Sequence, residues 1–278
     1  MPAALGPSDL VLCAGTLPRA TFRDRVAAAA AGGFGGISLW TRCYERDRAA
    51  GTTDAEMRDL LAAHRLCVTE IEAVSDALSD PATVRDAGAR ELACYAIADA
   101  VGGGSITLVE GGGPPLDVAR AADAFAAVCA RASAHDLRVQ VEPWPGSRLD
   151  VATAIALLRT APPNGGILAD SWHLTRTAGG PALLAAARDV RILAVQMSDG
   201  TLVQDGEYLD ETMHRRRVPG DGEFDLEGFV RLLDAQGSRA PIGVEVLSDA
   251  LAVLPATEVG RRVGAAARRI VERAREAR

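Results

Sequence analysis

One feature constrains this chain more than any other: eight short apolar runs, each followed by a longer alanine-rich amphipathic stretch. The runs, at 9–14, 36–39, 67–72, 105–109, 138–142, 166–170, 192–198 and 242–246, read as strands. The stretches at 21–31, 53–64, 82–101, 116–134, 148–159, 181–188, 225–235 and 257–276 read as helices. Thr21, Asp225, and Thr53 with Glu56 three residues on, stand where helix caps belong. Strict alternation calls for parallel strands joined by right-handed crossovers. Eight such units close into a barrel, whereas five or six leave an open sheet. The chain, with no linker or break in composition, therefore reads as α/β: one (β/α)8 TIM barrel domain over residues 1–278.

Several function classes fall away. Gly111-Gly112-Gly113 follows a strand, but Pro114-Pro115 replaces what a dinucleotide-binding turn needs. A net charge of −7 argues against a sequence-blind nucleic-acid binder, which needs a basic face. The chain contains no lysine, so Schiff-base catalysis by a lysine amine is excluded. Its five cysteines are scattered without a CxxC pair, as reduced thiols of a cytoplasmic protein would be. No signal peptide is expected, because Met1 to Leu12 lacks a basic segment followed by a long apolar stretch, and no membrane span, because no apolar run approaches about 18 residues.

In a barrel, chemistry gathers at the C-terminal ends of the strands. Strand five ends in Glu142, strand six in Asp170, strand seven carries Gln196, and strand eight ends in Glu245. Glu142 and Glu245 each follow an apolar run and precede another apolar residue. A carboxylate there needs a metal, an arginine or a raised pKa. One oxygen donor from each of four adjacent strands can converge on a single cation. Three carboxylates and an amide carbonyl form an all-oxygen shell, which suits Mn2+ or Mg2+ better than zinc. Of the four histidines, His64 and His135 sit at helix C-termini as surface residues, leaving His173 and His214 as site candidates. The connection 199–223 holds Arg215-Arg216-Arg217 and then Pro219-Gly220-Asp221-Gly222, and reads as a lid or substrate loop.

These pieces together resemble the xylose isomerase-like barrels, the sugar phosphate isomerase/epimerase superfamily. The matching segments are Val141-Glu142-Pro143, Asp170-Ser171-Trp172-His173, Val195-Gln196-Met197-Ser198-Asp199, the stretch 214–223 and Val244-Glu245-Val246, in order and on the expected strands. The resemblance implies a metal held by Glu142, Asp170, Gln196 and Glu245, with His173 and Arg217 contacting substrate oxygens. Gln196 stands where ketose 3-epimerases of the superfamily usually have histidine, and is more similar to the hydroxypyruvate isomerase branch. Endonuclease IV shares the barrel, but its histidine-rich zinc site does not suit a chain so acidic and so poor in histidine.

The chemistry expected is proton abstraction beside a carbonyl, through an enediolate, with Glu142 and Glu245 as base and acid. Return of the proton gives epimerisation or isomerisation of a sugar, keto-sugar or small hydroxy-keto acid. Loss of a β-hydroxyl instead gives dehydration, as in inosose or dehydroshikimate dehydratases. A sugar-binding barrel without turnover is a third reading, disfavoured because all four donors are present. Trp40, Glu72 and Trp144 are expected pocket walls, and no phosphate cradle is apparent, which points to an unphosphorylated, carbohydrate-like small molecule. The Arg-rich face 261–275 reads as solvated, and a homo-oligomer is compatible with the sequence.

Overall fold

The structure, a computed structural model, describes residues 5–79 and 86–276. Its eight strands are β1 (Leu10–Leu12), β2 (Gly36–Trp40), β3 (Cys67–Ser75), β4 (Ser105–Val109), β5 (Arg138–Glu142), β6 (Gly165–Asp170), β7 (Ile192–Met197) and β8 (Ile242–Val244). They follow one another round a closed barrel in sequence order. Every neighbouring pair is parallel. Closure is made by β1 against β8, with Leu10 beside Ile242 and Leu12 beside Val244. Apolar side chains such as Ile37, Leu39, Ile71, Leu108 and Val141 are fully buried, which is why these runs carry little alternation.

The helices are α1 (Phe22–Ala31), α2 (Thr41–Ala49), α3 (Asp54–His64), α4 (Ala87–Val101), α5 (Val118–Ser133), α6 (Val151–Leu158), α7 (Ser171–Arg176), α8 (Gly180–Ala186), α9 (Tyr208–His214), α10 (Leu226–Ala235), α11 (Asp249–Ala252) and α12 (Ala256–Glu276). The expected caps are made: Thr21 accepts from the Asp24 amide, Thr53 and Glu56 form a capping box, and Asp225 accepts from the Gly228 amide. The helix expected from residue 82 begins at Ala87, and residues 82–85 lie outside the described residues. Four short helices, α2, α7, α9 and α11, were not expected. In α2 only Cys43 and Asp47 are buried and Trp40 makes no side-chain cap, so neither an apolar stripe nor a start signal marks it. No helix among the described residues is long and apolar enough to cross a membrane. The five cysteines are free of disulfides.

Two polar features inside this scaffold matter below. At mid-strand, two residues before Glu72 on β3, Glu70 accepts from Gln140 Nε2 at 2.9 Å and from the Thr107 hydroxyl. These three residues form a buried floor. The connection 199–223, expected to be a loop, folds around α9. Its far end is pinned by Asp199, whose carboxylate accepts from the amides of Gly200, Gly220 and Phe224 at 2.8, 2.8 and 3.0 Å. A Cβ at Gly222 would lie 2.3 Å from Asp199 Oδ1, so only glycine admits this turn.

Candidate active site at the barrel mouth

A cavity of about 480 Å3 opens at the C-terminal end of the barrel. Glu142, His173, Glu245 and Arg216 face it, with Trp40, Glu72 and Trp144 as walls. Leu209 and Met213 of α9 line its edge. Strand register sets Asp170 beside Gln196, and Gln196 beside Gly243, two residues before Glu245. Oxygens of Glu142 and Asp170 and a ring nitrogen of His173 lie within 4.8 Å of one another, a group that can hold a metal ion.

Each carboxylate has a distinct set of partners. Asp170 caps α7 through a 2.9 Å bond from the Trp172 amide to Oδ1. Its Oδ2 meets Arg216 Nη1 at 2.9 Å and His173 Nε2 at 3.4 Å. Glu142 Oε1 lies 3.2 Å from His173 Nε2. Glu245 Oε2 lies 3.6 Å from Arg216 Nη1, while its Oε1 is buried without a partner. Gln196 turns its amide nitrogen toward Glu72 Oε2 at 3.4 Å, which leaves its carbonyl oxygen buried and unpartnered. Glu72 Oε2 also accepts from Trp40 Nε1 at 3.3 Å, and Glu72 Oε1 is again unpartnered.

Crowding of acids in a dry pocket shifts their protonation. Burial first, with Glu142 and Asp170 adding to it against Arg216, pushes Glu245 up to about 8. Burial and the neighbouring Glu70 and Glu245 raise Glu72 well above the carboxylate range. Burial disfavours the charge on Arg216, but Asp170 and Glu245 outweigh it and raise its pKa, so it stays cationic. Room at the floor of this pocket comes from Gly15, where a Cβ would lie 2.6 Å from Glu245 Oε1.

Two residues expected to contact substrate stand away from the cavity lining. Arg217 is exposed and donates to the Asp221 carbonyl at 3.4 Å, outside the cavity. Of these three consecutive arginines, the one that lines the cavity is Arg216, 3% exposed. Arg217 bridges to Asp199 and Arg215 to Ser248, on either side of Arg216. The middle residue turns inward and its neighbours out. His214, last residue of α9, is likewise exposed and pairs with Asp249 at 3.2 Å. Trp40 lies in the wall, but the Arg42 guanidinium sits 3.9 Å above its ring and covers one face. Tyr208 also escaped the sequence reading: it bonds His173 Nδ1 and lies parallel to Trp144, centroids 6.0 Å apart. An aromatic residue within a long polar connection was the one signal available.

A closed parallel eight-strand barrel with acids clustered at its C-terminal mouth is the architecture of barrel enzymes. The chain belongs to the xylose isomerase-like TIM barrel family, whose model matches residues 26–272. It is 33% identical over 137 residues to a 3-dehydroshikimate dehydratase of Pseudomonas aeruginosa, 48% of this chain and 22% of that one. The chain thus spans about a fifth of that relative's length. Among solved structures it is similar to the IOLI protein with a binding zinc atom, at TM-score 0.83 and 15% identity over 95% of this chain and 98% of that one. It is similar also to D-allulose 3-epimerase from Methylomonas sp., at TM-score 0.71 and 17% identity over 98% and 100%. At these identities the two structures speak for the fold alone.

Proposed function

We propose that the protein is a divalent-metal-dependent enzyme that removes a proton beside a carbonyl of a small polyhydroxylated substrate. The observation carrying this is the set of buried, unpartnered oxygens of Gln196, Glu245 and Glu72 beside Glu142 and Asp170. Buried acceptors are normally satisfied, and a hard cation is the partner that suits several oxygens at once. Glu142, Asp170, Gln196 and Glu245 would hold it, with Mn2+ or Mg2+ suiting the oxygen set best. When bound, it would supply Lewis-acid polarisation of a substrate carbonyl.

The chain's own groups do the rest. β5 and β8 stand three strand positions apart, so Glu142 and Glu245 approach the cavity from different walls. One can take the proton while the other delivers it. Arg216 balances the acids and offers donors to substrate oxygens. Trp40, Trp144 and the apolar edge of α9 exclude water from the reacting carbon.

Proton return gives an isomerase or epimerase; loss of a β-hydroxyl gives a dehydratase. The 33% identity to a dehydratase favours the second fate. Mn2+-loaded protein in D2O, followed by NMR with 3-dehydroshikimate and a panel of ketoses, separates them. Loss of water to an aromatic product marks a dehydratase, and deuterium beside a retained carbonyl marks an isomerase or epimerase. Neither signal with any panel member counts against the reading.

A further inference from the structure

His173 stands close enough to Glu142 and Asp170 to join them around a cation. What it offers them depends on which ring nitrogen carries the proton. Nε2 faces Glu142 Oε1 at 3.2 Å and Asp170 Oδ2 at 3.4 Å. Ionised carboxylates only accept, so a lone pair on Nε2 would oppose theirs, whereas an N–H there bonds to them. Nδ1 meets the hydroxyl of Tyr208. A phenol hydroxyl can donate, and a neutral imidazole accepts at Nδ1 when Nε2 carries the ring hydrogen. The two contacts agree: Nδ1 accepts and Nε2 carries the hydrogen.

We propose that Tyr208 is a positioning residue that holds His173 in the Nε2–H tautomer. In this form Nε2 offers no lone pair to a cation and instead braces Glu142 and Asp170. The centre keeps its oxygen-rich shell in place of one containing imidazole, which would favour zinc. This rests on the metal-dependent reading given above.

Tyr208 can serve this purpose because α9 is anchored. Glu211 forms an ion pair with Arg176 at 2.7 Å, both side chains 4% exposed. Thr212 accepts from Trp172 Nε1 at 2.9 Å and donates to the Tyr208 carbonyl at 2.6 Å. The hydroxyl is therefore delivered from a fixed helix and not from a loose loop.

The test uses 15N-histidine-labelled protein and long-range 1H–15N correlation at pH 8, with His173→Gln assigning the resonance among the four histidines. Parent protein should show His173 protonated at Nε2, both metal-free and loaded with Zn2+. In Tyr208→Phe, Zn2+ should draw Nε2 into coordination and move the proton to Nδ1. The ratio of Zn2+ to Mn2+ affinity should rise about tenfold or more. A fold-neutral change is checked by an unchanged circular dichroism spectrum. Protonation at Nδ1 in the metal-free parent overturns the proposal alone. So does a Tyr208→Phe variant with parental tautomer and metal ratio. A parent that binds neither cation overturns the metal reading on which the proposal stands.

Discussion

The barrel buries acids at two levels, and they are treated differently. At the floor, Glu70 is met by neutral donors from Gln140 and Thr107, and Gln140 Oε1 is the one buried oxygen of these three side chains left without a partner. At the mouth, Glu72, Gln196 and Glu245 each keep one buried oxygen unpartnered, and a single guanidinium serves both Asp170 and Glu245. Burial of a carboxylate is thus not in itself the mark of a site. The mark is several unfilled acceptors gathered in one place. Glu70 is a packed polar residue that stabilises one arrangement of side chains, whereas the mouth is where the proposed cation would find its ligands.

This contrast can be broken by substitution. Glu142→Gln in Mn2+-loaded protein should lower turnover at least about a hundredfold, the scale of a lost acid–base group, with thermal stability near that of the parent. Glu70→Gln should change turnover less than about threefold in the same assay. Equal losses in the two variants would erase the distinction between mouth and floor.

Arg216→Leu should destabilise the metal-free protein by roughly 3–5 kcal/mol, because it leaves buried acids without their cation. Added Mn2+ should recover part of this loss, as binding to the folded state does. Urea unfolding with and without the ion measures both. A loss that Mn2+ leaves unchanged would mean the acids at the mouth do not bind it.

The smallest effect sharpens the floor. Burial pushes Glu70 up to about 7, above the value of an unfolded chain. Its contribution is therefore complete below the usual carboxyl range and lost as pH rises through about 7. Thermal melts of parent and Glu70→Gln between pH 4 and 9 should diverge over that window, by on the order of 1–3 kcal/mol. Parallel curves would place the Glu70 carboxyl in an ordinary environment.

How much of this could be read from sequence follows the same physics. Strands and the candidate residues at the mouth were legible because period and strand-end position are one-dimensional facts: Glu142, Asp170 and Glu245 stand where apolar runs end, and Gln196 is the polar residue within one. The choice among Arg215, Arg216 and Arg217 was not, since three identical residues hide which of them turns inward, and Asp199 and Ser248 across the loop set it. Tyr208 was hidden for a similar reason. Its helix starts at Glu207 without a side-chain cap and is held by Arg176 and Trp172, which are more than thirty positions away. Asp170 held a second surprise, because the residue read as a ligand also caps α7.

Calorimetric titration of Mn2+ into metal-stripped parent, Glu245→Gln and Glu70→Gln tests the central claim most directly. The account predicts one ion per chain in the parent, affinity weakened about ten- to a hundredfold or more by Glu245→Gln, and no change in Glu70→Gln. Absence of binding in the parent, or equal affinity in the Glu245→Gln variant, would contradict it.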